Sequence, residues 1–226
     1  ISAWTSPGRS GSSIGTLEIS ASQQKTGPGY VYVSTGRFGW GPGHWSDTKQ
    51  VAASASRGAA GSFVQVDLDS SSDLDGEAKR SLGRVQVRAA VGAGSLAVWS
   101  SNGKYGEVRA RHSADGGKTW APVHIVSQST DATYVPALAL DADGVAHLAL
   151  SLKPTGGTAS RLVYQRSADS AYKSWSRPVD VERLPSGTSI QDARLAFAGQ
   201  GHHRALYLLW TDDRRRTATD TEFGAD

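Results

Sequence analysis

Residues 113–120 read Ser113-Ala114-Asp115-Gly116-Gly117-Lys118-Thr119-Trp120, and a valine follows six residues after the tryptophan. Serine and aspartate side chains accept backbone amides within turns, and glycine tolerates a positive φ. The closing tryptophan supplies a large apolar group that anchors such a turn to a sheet. The stretch therefore predicts a structural turn between two strands.

A second, degenerate copy of this pattern runs from Ser167 through Asp169 to Trp175, with one extra residue and without the glycine. A third, shorter copy consists of Trp45 with a valine again six residues later. We expect all three copies to belong to outer strands whose tryptophans pack between neighbouring sheets.

Alternating apolar runs separated by glycine- or aspartate-rich turns lie around these copies, and this arrangement predicts β-hairpins. The predicted hairpins join 85–91 to 96–99, 135–140 to 145–152, and 194–197 to 205–210. Together with the outer strands they give units of four strands in about 50 to 60 residues, which is typical of a propeller blade. The chain is predicted to contain an irregular first unit 1–53, an insertion 54–83, clear blades 84–130 and 131–186, and a partial blade 187–226.

The stretch 113–120 matches the pattern Ser-x-Asp-x-Gly-x-x-Trp and resembles the Asp box, or BNR repeat, of sialidase-like β-propellers. The resemblance implies an all-β fold of four-stranded antiparallel blades, which we expect to be incomplete in this chain because only three to four units fit. It also implies a structural role, facing away from any active site, for Ser113, Asp115, Gly117, Trp120, Ser167, Asp169 and Trp175.

Sialidases of this superfamily resemble retaining glycosidases with a tyrosine nucleophile and three arginines that clamp a substrate carboxylate. The first of these arginines usually lies in an Arg-Ile-Pro sequence. The nearest match here is Tyr134-Val135-Pro136, with tyrosine in place of the arginine. The catalytic residues are therefore unknown from the sequence.

The functional face of such a propeller consists of the loops between second and third strands and the links between blades. Arg88 and Arg194 are expected to start innermost strands and point into the central channel. The full set of candidate substrate-binding residues is Arg88, Lys104, Tyr105, Asp131, Tyr134, Lys153, Asp192, Arg194, Asp212, Asp213 and Arg214.

Composition narrows the function classes. The chain has no cysteine, which excludes disulfides and thiolate chemistry, and its net charge of +3 is scattered, which does not indicate nucleic-acid binding. No apolar run is long enough to span a membrane. No cofactor or metal is expected, although alternating acids at Asp67, Asp69, Asp73 and Asp75 resemble a calcium loop and an acidic loop is the alternative.

Two function hypotheses remain open from the sequence. The first is a secreted, bacterial, glycan-directed protein that also cleaves glycosides. The second is a non-catalytic propeller that binds a glycan or a protein, or that serves as an assembly subunit with another chain completing the propeller.

Overall fold

A computed structural model describes residues 12–21, 31–41, 44–54, 59, 61–71, 85–89, 94–101, 107–128, 132–153, 159–198 and 205–214. Within these ranges all regular structure is β-strand: β1 Ser12–Ala21, β2 Val31–Gly41, β3 His44–Ser54, β4 Phe63–Ser71, β5 Val85–Ala89, β6 Ser95–Ser101, β7 Glu107–Ser113, β8 His124–Gln128, β9 Ala132–Leu140, β10 Ala146–Lys153, β11 Ala159–Arg166, β12 Val179–Ser186, β13 Ile190–Ala198 and β14 Ala205–Asp212. The part of the chain that is described contains no helix that could cross a membrane.

The strands form antiparallel sheets in which each strand pairs with its neighbour along the chain. The first sheet is β1-β2-β3-β4, the second β5-β6-β7-β8, and the third β9-β10-β11-β12. The fourth sheet is the hairpin β13-β14. The protein is therefore all-β and built from successive antiparallel meanders.

The first strands of successive sheets contact one another: β1 contacts β5, β5 contacts β9, and β9 contacts β13. Three apolar clusters lie between the sheets. Leu68 of the first sheet packs with Trp99 of the second, Val108 of the second with Leu148 of the third, and Ala149 of the third with Leu195 of the hairpin. The molecule is thus held together face to face, sheet against sheet.

Alternation along the strands explains this packing, because successive side chains of a strand point to opposite faces. In β9 and β10, the pair Leu138 and Leu148 faces the second sheet, whereas the pair Ala137 and Ala149 faces the hairpin. Short alanine side chains on one face allow a close approach of the next sheet.

The three predicted hairpins are confirmed, with paired strands β5–β6, β9–β10 and β13–β14. The first sheet differs from the prediction. Its fourth strand, β4, lies in the segment predicted as an insertion, so that the sheet extends to residue 71 rather than ending near residue 53.

The prediction for Trp45 is wrong in position. Trp45 lies in the third strand, β3, directly opposite Trp40 of β2, and not before an outer strand. Trp120 and Trp175 do precede the outer strands β8 and β12. A tryptophan and a valine six residues apart also fit within one long strand, and this explains the false third copy.

Candidate functional site

The strand registers divide the sheets into two ends. At the loop end β6 leads to β7, β10 leads to β11, and β12 leads to β13, since Ser101 pairs with Glu107 and Leu152 with Arg161. At the opposite, turn end lie the turns 113–120, 141–144 and 167–175. The two tryptophan-containing turns are therefore separated from the predicted functional loops by the length of the strands.

Most described candidate residues lie at the loop end. Tyr134 and Lys153 belong to β9 and β10 near that end, and Asp212 closes β14. Asp213 and Arg214 follow β14, and Asp192 is the third residue of β13. Lys104, Tyr105 and Asp131 lie outside the described residues.

The expectation for the two inner-strand arginines needs correction. Arg88 pairs with Leu96 beside the β5–β6 turn, so it lies near the turn end and does not start its strand. Arg194 lies in the middle of β13, opposite Leu209. Each guanidinium folds back along its own strand, because Arg88 Nη1 donates to the Val87 carbonyl at 2.9 Å and Arg194 Nη1 donates to the Ala193 carbonyl at 3.0 Å.

Charged side chains at the loop end form an ion-pair cluster. Arg214 contacts the Asp212 carboxylate at 2.8 Å and the Glu182 carboxylate of β12 at 3.3 Å. The indole Nε1 of Trp210 donates to Asp212 Oδ2 at 3.2 Å. The hydrogen bond from Arg214 lowers the pKa of Asp212, so this carboxylate stays ionised at neutral pH.

The link between β12 and β13 is held to the end of β14 by backbone and carboxylate groups. The Ser189 amide donates to Asp213 Oδ1 at 2.6 Å, and the Asp213 amide donates to the Ser189 carbonyl at 3.3 Å. Arg194 pairs with Asp192 at 2.6 Å. The loop end thus presents carboxylates and guanidinium groups in fixed positions.

A similar arrangement joins the first and second sheets. Trp99 Nε1 donates to Asp69 Oδ2 at 3.0 Å, and Arg109 contacts the same oxygen at 3.1 Å while also contacting Glu107 at 2.8 Å. Asp69 and Asp212 therefore have similar surroundings. Each carboxylate accepts hydrogen bonds from an indole N–H and from an arginine, and that arginine also contacts a second carboxylate. Asp212 and Arg214 therefore also fasten the fourth sheet to the third.

Two of the four acids considered as calcium ligands lie on a strand. Asp67 and Asp69 lie on strand β4, where Asp69 is engaged by Trp99 and Arg109, and Asp73 and Asp75 lie outside the described residues. Among the residues with described side chains, no group of three or more histidine, aspartate or glutamate residues is placed to hold a metal ion.

The first tryptophan-containing turn is closed by its serine and aspartate. Ser113 Oγ accepts the Gly117 amide at 2.8 Å, and Asp115 Oδ1 accepts the amides of Lys118 and Thr119 at 3.0 and 2.9 Å. Thr119 Oγ1 donates to Asp115 Oδ2 at 2.6 Å. These hydrogen bonds to the ionised form lower the pKa of Asp115 to about 2, with the Thr119 hydroxyl as the largest contributor.

In the second turn the aspartate has the same role despite the extra residue, whereas Ser167 Oγ accepts the Ala146 amide of β10 and not an amide of the turn. Asp169 Oδ1 accepts the amides of Ala171 and Lys173, and Oδ2 accepts both the amide and the hydroxyl of Ser174. The Ser174 hydroxyl, followed by the Lys173 amide, lowers the pKa of Asp169 to about 2. The aspartates of both turns are therefore committed to backbone amides and a hydroxyl.

Sequence reasoning missed two members of the loop-end cluster, Glu182 and Trp210. Glu182 lies on a predicted outer strand, and its proximity to Arg214 depends on how the third and fourth sheets pack. Trp210 had a signal in the sequence, because 207–210 repeats the pattern of 96–99, which ends in Trp99.

Comparison with known proteins identifies no family for this chain. No protein-family model matches the chain, and no curated protein matches it by sequence. Among solved structures, the chain is similar to an endo-arabinase from Bacteroides thetaiotaomicron VPI-5482, with 10% identity and a TM-score of 0.40 over 86% of this chain and 93% of that one.

Proposed function

We propose that the chain is part of a sialidase-like, Asp-box β-propeller that binds a glycan at its loop end. The observation that carries this proposal is the topology: successive antiparallel meanders whose first strands contact one another, with the two tryptophan-containing turns at the end opposite the loops. Four-stranded meanders packed around a common axis are the blades of a propeller.

The chemistry of the loop end suits a sugar ligand. Carboxylates and guanidinium groups form charge-assisted hydrogen bonds in fixed directions, and such groups can pair with the hydroxyls of a glycan or with an acidic substituent. Arg194 lies in the middle of β13, and 44% of its side chain is exposed while it pairs with Asp192 near the loop end. An acidic glycan would compete for this arginine.

Binding to immobilised and soluble glycans, with acidic and neutral members, tests this function. The variant Arg194→Gln should weaken binding of an acidic glycan, whereas Arg177→Gln, an exposed arginine at the turn end, should leave it unchanged. Equal effects of the two variants, or no binding to any glycan, would contradict the proposal.

A separate experiment tests whether the chain also cleaves glycosides. Purified chain is incubated with a fluorogenic sialoside and a panel of other fluorogenic glycosides, and its intact mass is recorded on the same sample. Turnover that is lost in Arg194→Gln would place catalysis at the loop end. Binding without turnover would favour the non-catalytic alternative.

A specific observation favours a second candidate function, assembly with another chain that completes the propeller. Tyr207 and Leu209 on the outer face of the hairpin are 52% and 60% exposed, whereas Leu96 and Val98 at the matching places of the second sheet are fully buried. Val179 and Val181 of β12 are also exposed. An apolar surface of this kind is typical of a protein–protein contact.

Light scattering coupled to gel filtration tests this second function. A self-assembling chain should elute above the mass of a single chain and return to it in Leu209→Asp. A strictly monomeric chain would exclude self-assembly through this surface.

A further inference from the structure

Three polar side chains form a hydrogen-bonded series between the third sheet and the hairpin, at the turn end. His147 Nδ1 lies 2.8 Å from the Tyr164 hydroxyl, and His147 Nε2 lies 3.4 Å from Asp141 Oδ2. The β10–β11 register explains this proximity. His147 is directly opposite Arg166, so Tyr164, two residues earlier on β11, is its diagonal neighbour on the same face.

The neighbours of the series determine where its protons lie. Asp141 Oδ1 already accepts the amides of Asp143 and Val145 at 2.9 and 2.8 Å, which holds the carboxylate in place within the turn. An ionised carboxylate only accepts, so the imidazole Nε2 carries the proton that points to Asp141. In the tautomer that carries its proton on Nε2, the imidazole offers Nδ1 as an acceptor to the Tyr164 hydroxyl, 2.8 Å away.

Ring packing fixes the imidazole in this orientation. The rings of His147 and Tyr164 are stacked with centroids 6.0 Å apart, and the ring of Phe197 from β13 meets His147 edge-on at 5.0 Å. Burial raises the pKa of Tyr164. The charge of Arg166 partly opposes this effect, and the charge of Asp141 adds to it. The phenol thus keeps its proton until a base removes it, with an exposed guanidinium close enough to influence the developing negative charge.

A nucleophile within hydrogen-bond reach of a base that is oriented by a third group is the arrangement that activates hydroxyl side chains. We propose that Tyr164, His147 and Asp141 form a nucleophilic tyrosine site that accepts the acyl group of a small ester. The Tyr164 residue is partly exposed. The site lies at the opposite end from the proposed glycan-binding loops and does not depend on that function.

Transfer of the acyl group from the ester to Tyr164 needs no further reactant. The Tyr164 oxygen attacks the ester carbonyl carbon and forms a new C–O bond, and the phenol proton moves to His147 Nδ1. The bond between the acyl carbon and the leaving alkoxide or phenolate breaks. The leaving group then takes the proton from His147, and Tyr164 carries the ester.

The test uses the full chain and 4-nitrophenyl acetate, with release of 4-nitrophenolate followed by absorbance and the acetylated tyrosines mapped by mass spectrometry. Tyr207, which is more exposed, is the internal control. General-base assistance should make acetylation of Tyr164 about 100-fold faster than that of Tyr207. Equal rates at the two tyrosines in the wild-type chain would overturn the proposal without any variant.

The variant His147→Asn tests whether His147 acts as a base or only as a hydrogen-bond partner of Tyr164. Asparagine retains a hydrogen-bond acceptor near the Nδ1 position but cannot take a proton, so acetylation of Tyr164 should fall to the rate of Tyr207. The unchanged rate of Tyr207 and the thermal midpoint show whether the fold is retained. If Tyr164 in a folded His147→Asn variant reacts as fast as in the wild type, His147 is not the base and the proposal fails.

Discussion

Tyr172 holds in the second tryptophan-containing turn the position that Gly117 holds in the first. Both residues have a positive φ, 58° for Tyr172 and 88° for Gly117. Each also lies three residues before the tryptophan, and its carbonyl accepts the indole N–H, at 2.8 Å from Trp175 and 3.1 Å from Trp120. The strain of a tyrosine in this region is offset by burial of its ring and by its hydroxyl, which donates to the Gly144 carbonyl at 3.1 Å.

Gly117→Ala should lower the free energy of unfolding by roughly 1–2 kcal/mol, because a Cβ at this positive φ crowds the carbonyl group of the preceding residue. Urea denaturation followed by tryptophan fluorescence measures the loss. Gly94→Ala is the matched control, since Gly94 is described and its φ is not positive. Equal losses in the two variants would show that the positive φ of Gly117 is not what matters.

Trp120→Ala should cost about 3–5 kcal/mol of stability, because the indole is buried among Leu68, Val87 and Trp99 between the first two sheets. Trp120→Phe keeps most of the apolar contact and loses the hydrogen bond to Gly117, a loss of about 1 kcal/mol. Thermal and urea midpoints of both variants check this order. An unchanged midpoint for Trp120→Ala would contradict its role as the anchor of the turn.

Asp115 should make stability depend on pH in the acid range. Its folded pKa of about 2 is below the unfolded value near 3.8, so its contribution is fully present above pH 4 and is lost as pH falls towards 2. Asp115→Asn should flatten this part of the stability–pH curve, which urea titrations between pH 2 and 6 would measure. Parallel curves for wild type and variant would show that Asp115 does not supply the dependence.

The variant Asp115→Ala tests whether this turn contributes to stability or to glycan binding. It removes acceptors from the Lys118 and Thr119 amides, so the midpoint of unfolding should fall, while glycan affinity at temperatures below the transition should persist. Loss of affinity in a folded Asp115→Ala protein would assign this turn to the binding site instead.

Asp69 and Trp99 should be energetically coupled. Asp69→Ala leaves the buried indole N–H without an acceptor and costs about 1–3 kcal/mol, whereas the same change in a Trp99→Phe background should cost less. A double-mutant cycle from urea midpoints measures the coupling. Strict additivity would mean that the 3.0 Å contact contributes nothing to the packing of the first sheet on the second.

The parts of the fold that could be predicted are those with a local signal. Turn chemistry at 113–120 and 141–144 predicted the connections between β7 and β8 and between β9 and β10. In the first sheet, β4 follows a turn in which the Ser62 amide donates to the Ala59 carbonyl, but it lies in a segment rich in serine and aspartate, which favoured an insertion. The structure of β4 depends on its pairing with β3, and the residues of β4 alone do not indicate this pairing.

The sequence predicts where the loop-end site lies, but it does not predict which side chains contact one another there. Asp212 and Arg214 were found because they follow a strand, but their partner Glu182 comes from another sheet. The series of Asp141, His147 and Tyr164 was missed because it depends on the β10–β11 register, which the length of the connecting loop hides.

Arg111 has a consequence for how this protein tolerates mutation. Its guanidinium donates to the carbonyls of Asp67 and Leu68 in the first sheet and to those of Trp120 and Ala121 in its own. Similarly, Gln86 accepts the Leu138 amide from the third sheet at 2.8 Å. Because the partners are backbone groups, these bonds do not depend on which side chains the neighbouring strand carries. The side chains of the neighbouring strand can therefore change by mutation while the hydrogen bonds between the sheets are retained.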